Sequence, residues 1–418
     1  MRNKNFWVDL SILNLCIVAF LGFALRSKIL FSLPWINYLH LLDAHSHFAF
    51  DGWVTLALLF LFVQELLPEP FNKRPIYQWL FAGIVLSSFG ILLTLLFNNN
   101  SFLAGFFSVL FILVTYAFGL MFVKDIQKIR INKTARLLSI SAIVSLILSS
   151  AGPITLAWLH ATKSIHATLY RDALYVYLHL QYNGFFTLAV FALLFHKLYS
   201  KISVKTQLNF YRFSVLLCVS ILPSLFLSFL WQDPNNFFRV IAITGSILIF
   251  VSVSWFIVLA LPVLKFSKLA VPVVRYIFLL STGAFVLKMF LQSLTIFPLV
   301  GSAVFGDRPV IIGFLHLVFL GFVSPFILAY YTQENMLNIK IKVTGYAIIV
   351  FMSGIVCNEI TLMLQGLGAM FLKSSYLFSW LLWGISILLM TGAILIFIAR
   401  MKSRTLFRIR AEIAGIIY

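Results

Sequence analysis

Acidic residues are scarce: Asp and Glu number 12 in 418 residues, and all charged types together make up only 10%. A soluble domain usually carries about 25% charged residues, so a soluble globular chain is excluded. With 62% hydrophobic residues, disorder is excluded more firmly, because disordered chains need low hydrophobicity. Cysteine is scarcer still. Cys16, Cys218 and Cys357 are the only three; each falls inside a long apolar run, and they offer neither a disulfide framework nor a metal-ligand spacing. They read as small apolar core residues. A C-x-x-C-H haem-attachment motif is missing, and the longest polar stretches, such as 124–136 and 161–172, are too short for a soluble domain. The first apolar run is long, contains Asp9 and lacks an A-x-A site, so it is expected to stay as a span rather than be cleaved.

What is present is apolar sequence in helix-length runs. One transmembrane helix needs roughly 20 apolar residues. The runs fall at 6–27, 40–66, 76–98, 101–123, 137–160, 173–196, 208–231, 239–264, 270–296, 310–333, 343–367 and 376–399. The sequence therefore predicts an all-α polytopic integral membrane protein of about twelve spans, forming a single transmembrane domain over 1–418. Asn98-Asn99-Asn100 reads as a tight outer turn.

Lys and Arg number 31, for a formal net charge of +19. In a membrane protein this excess is tested against the tendency of Lys and Arg to stay in cytoplasmic loops. With the N-terminus in the cytoplasm and residues near the span ends counted with the adjoining loops, 23 of the 31 fall in cytoplasmic segments and 7 in outer ones, leaving Lys288 alone deep inside a span. The asymmetry predicts cytoplasmic N- and C-termini in the inner (cytoplasmic) membrane and needs no nucleic-acid partner. The basic tail 400–418 is expected to lie against anionic lipid headgroups.

An internal repeat organises the chain. The second span reads His47-Phe48-Ala49-Phe50-Asp51-Gly52-Trp53-Val54-Thr55, the sixth His179-Leu180-Gln181-Tyr182-Asn183-Gly184-Phe185-Phe186-Thr187, and the tenth His316-Leu317-Val318-Phe319-Leu320-Gly321-Phe322-Val323-Ser324. The histidines are 132 and 137 residues apart in a chain with only eight of them. Four spans separate each copy from the next, which predicts three four-helix units, about 1–130, 131–268 and 269–400, inserted in one direction. This disfavours the inverted repeats of many transporters. All three histidines fall near the outer ends of their spans, at similar depth. In an α-helix the glycine five positions on is turned away from the histidine and suits a close helix contact. The aromatic three positions on, Phe50, Tyr182 or Phe319, stays near the histidine face, where it can flank a flat ligand.

Imidazole inside a membrane demands a partner. Ligation of a metal or haem, proton relay and an interhelical hydrogen-bonded strut are the open readings; three copies at one depth favour ligation, and neutral imidazole suits iron and copper. His40 lies seven residues from His47, on one helix face, whereas His45 points elsewhere. With His160 and His166 these make a second group near the outer surface, readable as a metal site or as interfacial polar residues.

Twelve spans in three four-helix units, with histidines on spans 2, 6 and 10, resemble the catalytic subunit of haem-copper oxidases and nitric oxide reductases. The resemblance implies that His47 and His316 hold a low-spin haem, b-type, between spans 2 and 10. It implies an active-site metal such as copper at His179, and basic groups such as Arg171 or Arg308 near haem propionates. The family's adjacent histidine pair in span 7 has no counterpart in 208–231, and His316 is followed by Leu317-Val318 rather than by a second ligand. What is implied is a haem-binding redox protein without a complete oxygen-reducing centre, similar also to the NnrS family linked to nitric oxide tolerance. Its electron donor would be a separate partner such as a cytochrome c.

The remaining intramembrane polar residues are candidates in their own right. Lys288 with Gln292, and Glu359 with Asn358, read as a buried Lys–Glu pair, either structural or part of an ion path. Asp43, four residues before His47, reads as its tautomer-fixing carboxylate or as a solvated residue at the helix mouth. A transporter using Lys288 and Glu359, and a non-catalytic assembly or sensor protein, remain alternative functions.

Overall fold

The computed structural model describes residues 4–98, 101–267, 272–371, 373 and 375–413. It is 89% helical and has no strand among the described residues. Twelve helices are long and apolar enough to cross a membrane: α1 (Lys4–Leu30), α2 (Tyr38–Leu66), α3 (Pro75–Phe97), α4 (Phe102–Lys128), α5 (Lys133–Ala161), α6 (Ala167–Lys201), α7 (Val204–Gln232), α8 (Asn236–Ala260), α9 (Pro272–Leu294), α10 (Arg308–Gln333), α11 (Lys342–Met370) and α12 (Leu377–Arg404). The chain is an all-α polytopic membrane protein. Each apolar run of the sequence falls on one of these helices. The helices exceed the runs where polar first turns continue the ladder, as at Tyr170-Arg171-Asp172 in α6. A short helix, Pro298–Gly306, precedes α10, and the helix begun by α12 continues to Ile413. Asn99, Asn100 and residues 414–418 of the basic tail lie outside the described residues.

The helices close into a ring. Within each unit α3 packs on α4, α7 on α8 and α11 on α12; between units α4 packs on α5, α8 on α9 and α12 on α1. Helices α2, α6 and α10 stand inside, and α2 and α6 are the most buried of all. They meet at Phe50, Phe186 and Phe319, with ring centroids 4.3 to 5.8 Å apart. At the other end of the same three helices Glu65, Lys197 and Glu334 come together. Their spacings are again 132 and 137 residues, so they are equivalent positions of the repeat. Lys197 pairs with Glu334, and Glu65 accepts from the Tyr330 hydroxyl at 3.4 Å and lies within Coulombic reach of both. An aromatic plug and a charged one thus close the central axis.

The start of α1 and the end of α12 lie on the face that carries this charged plug. Arg400 of α12 donates to Asp9 and Asn5 of the first helix, each at 2.7 Å. Arg74, which caps α3, and Tyr77 of α3 donate to the buried Asp125 of α4 at 2.5 and 2.9 Å. The opposite face, where α2, α6 and α10 begin, is called the histidine face below.

Each repeat motif is a π-helical segment: Phe48–Thr55, Leu180–Phe186 and Leu317–Val323 each begin one residue after the repeat histidine. Such helices bond i to i+5 and are mostly confined to single turns. The first helix of the unit supplies hydrogen bonds to the loosened ladder. Asn14 Nδ2 donates to the Gly52 carbonyl at 2.6 Å, and Ser281 Oγ to the Phe322 carbonyl at 2.7 Å. In the second unit the contact is tighter: a Cβ at Gly184 would lie 2.4 Å from Ser145 Cβ. Asn14, Ser145 and Ser281 are themselves 131 and 136 residues apart, so the same helix-to-helix contact recurs in all three units.

Gly184→Ala is expected to lower the thermal midpoint of the detergent-purified protein, since the overpacked contact costs about 1–3 kcal/mol. Gly345→Ala, where a Cβ meets nothing within 4 Å, is expected to leave it unchanged or raise it slightly.

Candidate functional site

A cavity of about 210 Å³ opens between α1, α2, α10, α11 and α12, toward the histidine face. Two imidazoles line it, His45 from α2 and His316 from α10. His316 Nδ1 lies 2.8 Å from the Ile312 carbonyl, one turn back. A carbonyl only accepts, so Nδ1 carries the proton, and Nε2 of the neutral ring keeps its lone pair. Nε2 makes no hydrogen bond among the described residues. The His45 ring lies against Gly22, where a Cβ would be 3.3 Å from its Cε1; the missing side chain makes the space for the imidazole. Its Nδ1 is buried and has no hydrogen-bond partner.

Aromatic rings wall the space. Phe50 and Phe319, each three residues past a repeat histidine, both line it. Trp53, fixed by a 2.9 Å bond from Nε1 to Ser324 Oγ, also faces it. Basic groups gather at the mouth. Arg26 of α1 lines the cavity, and Arg308 at the start of α10 donates to the Tyr38 hydroxyl at 3.1 Å and lies 5.3 Å over its ring. Arg26, which nothing in the sequence singles out, is brought to the cavity on α1, which is helical to Leu30.

The expected pairing of His47 with His316 does not form. His47 does not line the cavity; its side chain is 44% exposed, 3.8 Å from the buried Asp51. The reason is symmetry. Equivalent positions of three units around an axis face three different directions, so an off-axis space between two units receives non-equivalent residues. His45, two residues earlier on α2, supplies the face that His47 lacks. The carboxylate beside His47 is likewise Asp51, not Asp43, which is exposed.

His179 is fully buried and both its ring nitrogens are engaged. Nε2 donates to the Ile221 carbonyl of α7 at 2.9 Å, and Nδ1 accepts from Asn183 Nδ2 at 3.1 Å. It joins α6 to α7 as a strut and has no lone pair left for a metal ion. His40 is half-buried in the first turn of α2, and His160 and His166 are exposed. Among the described residues no group of three or more His, Cys, Asp or Glu is placed to hold a metal ion. Arg171 stacks on Trp231 at 4.4 Å and donates to the Tyr175 hydroxyl at 3.1 Å, so it serves the α6–α7 contact rather than the histidine cavity.

The Lys288–Glu359 pair is also replaced. Lys288 is completely buried; its Nζ donates to Thr187 Oγ1 at 3.0 Å and lies 5.6 Å from the Tyr182 ring centroid. Glu359 accepts from its neighbour Asn358 at 3.1 Å. No ion pair joins them among the described residues. Thr187 in turn donates to the Tyr182 carbonyl five residues back, at 2.6 Å, so the lysine is anchored on the π segment itself.

Fold and cavity together define a polytopic membrane protein with two histidines, one from each of two inner helices, facing one aromatic-walled space. No protein-family model matches the chain, and no curated protein matches it.

Thr187→Val is expected to destabilise the protein by about 1–3 kcal/mol, because it leaves the buried Lys288 donor without its acceptor. Lys288→Met combined with Thr187→Val is expected to recover most of that loss. Thermal or denaturant unfolding of the single and double variants measures both.

Proposed function

We propose that the protein is a haem-binding membrane redox protein of the haem-copper oxidase type, reduced to one low-spin, b-type haem without an oxygen-reducing centre. The observation that carries this reading is that one aromatic-walled cavity is lined by both His45, whose buried Nδ1 has no hydrogen-bond partner, and His316, whose Nε2 keeps its lone pair. A buried ring nitrogen without a partner costs about 1–3 kcal/mol, and ligation would repay it. A haem held there would supply one-electron chemistry. His45 and His316 would hold it, Phe50 and Phe319 would flank the ring, and Arg26 and Arg308 would neutralise its propionates at the cavity mouth. The remaining apolar lining would exclude water. The Ile312 carbonyl holds the proton on His316 Nδ1, which leaves Nε2 as the atom that would bind the group.

Copper has no comparable donor set around His179 and is not part of this proposal. The electron donor would be a separate partner such as a cytochrome c. The excess of Lys and Arg on the termini-bearing loops supports the cytoplasmic membrane, with both termini in the cytoplasm. Nitric oxide would be a ligand for the group that His45 and His316 would hold. A transport role would need a polar path along the axis, and the Phe50–Phe186–Phe319 plug stands across it.

A reduced-minus-oxidised visible spectrum of the purified protein, with iron and copper quantified, tests the reading. A sharp low-spin signal is expected, lost in His45→Ala and in His316→Ala and kept in His47→Ala. Well-folded protein without haem would overturn it. Loss in His47→Ala with retention in His45→Ala would restore the pairing that the repeat alone suggested.

A further inference from the structure

Two further spaces lie against the inner helices. A cavity of about 310 Å³ on the other side of α10, between α6, α7, α9, α10 and α11, is lined by no histidine and no charged side chain. A much smaller one, of about 10 Å³, lies between α6, α7, α8 and α9. Its size is that of a single solvent molecule: about 10–15 Å³ open to the centre of a water-sized sphere admits one water.

The chemistry of the wall decides between an empty void and a site. Apolar voids stay dry, whereas a buried water needs two to four polar partners. Four of the eight lining residues are polar: Asn183 and Thr187 from α6, and Ser220 and Ser224, one turn apart, from α7. All eight are buried. Ser220 Oγ donates to the Leu217 carbonyl at 2.8 Å and Ser224 Oγ to the Ile221 carbonyl at 3.1 Å. Each hydroxyl has thereby given its only hydrogen and keeps acceptor capacity, even though Ser224 Oγ also lies 3.4 Å from His179 Nε2. Asn183 Nδ2 gives one hydrogen to His179 Nδ1, and its second has no partner among the described residues. Thr187 Oγ1 has already given its hydrogen to Tyr182 and accepted one from Lys288. The wall therefore offers acceptors on α7 and a donor on α6. Water is the ligand of this size that both donates and accepts. A chloride ion would meet hydroxyls whose hydrogens are committed elsewhere, and a metal cation would meet an amide hydrogen with the Lys288 ammonium close by.

We infer that this cavity binds one water molecule, which accepts from Asn183 Nδ2 and donates to Ser220 Oγ and Ser224 Oγ. The water ties α6 to α7 beside the His179–Ile221 strut and completes the hydrogen bonding of the amide that orients His179. It gives the two serines of α7 a purpose that their carbonyl bonds alone do not require. The site does not depend on the haem proposal, because none of its residues lines the histidine cavity.

A density map of the full chain that shows ordered solvent tests the site, with a second map from protein prepared in bromide. One peak is expected within about 2.7–3.2 Å of Ser220 Oγ, Ser224 Oγ and Asn183 Nδ2, without bromide signal. In the Ser220→Ala, Ser224→Ala double variant the space is larger but α7 offers no acceptor. The peak is expected to disappear there, and the thermal midpoint, which also controls for folding, to fall by about 1–3 °C. Should the double variant not fold, Ser220→Ala alone is expected to weaken the peak. A cavity without density in the parent protein would overturn the inference, as would a peak that persists unchanged when the hydroxyls are removed. Anomalous signal from bromide would identify an anion instead, and a peak with five or six oxygen neighbours at about 2.3–2.6 Å a metal cation; either would overturn it as well.

Discussion

Three copies of one four-helix unit can bring equivalent side chains together only on the axis they share. Everything off that axis must be built from residues the repeat does not equate. The protein uses both possibilities. On the axis, Glu65, Lys197 and Glu334 converge at one end from equivalent positions, with unlike charges where identical ones would repel. Off the axis, the histidine cavity takes His45 from the first unit and His316 from the third, two positions that differ by two residues in register. The repeat histidines themselves diverge: one strut between α6 and α7, one ring beside a buried aspartate, one ring with a free lone pair.

The cost of polar groups in an apolar interior explains much of the rest. With little water to satisfy them, buried donors and acceptors must be met by the chain. Asn14 and Ser281 each serve a π-segment carbonyl, and Lys288 rests on a hydroxyl that is already committed to the Tyr182 carbonyl. The pairing is not complete: Asn14 Oδ1, Gln181 Oε1 and Asn183 Oδ1 are buried without a partner, as are His45 Nδ1 and Gln292 Oε1. What sets His45 and Gln292 apart is that each lines one of the two larger cavities, on opposite sides of α10.

The spans and their count were legible because hydropathy integrates over some twenty residues and tolerates local irregularity. The repeat was legible because histidine and glycine are rare enough here for their spacing to stand out. Helix rotation was not. Two neighbouring histidines on α2 look interchangeable in a hydropathy profile, and only packing against Gly22 selects His45 for the cavity. The Lys288–Glu359 pairing failed for the same reason: adjacent helices do not guarantee facing side chains. Nor does a seven-residue π stretch leave any apolar period to read, so the turn assigned to each motif glycine assumed an α-helix that is not there. The glycines nevertheless serve close contact, as Gly184 does with Ser145.

A π turn is an α turn that has absorbed one extra residue. All three units carry theirs at the same place, immediately after the histidine. The distortion is therefore what the three segments share, while the surroundings of the three histidines differ: a strut to α7, a neighbouring aspartate, and an open cavity.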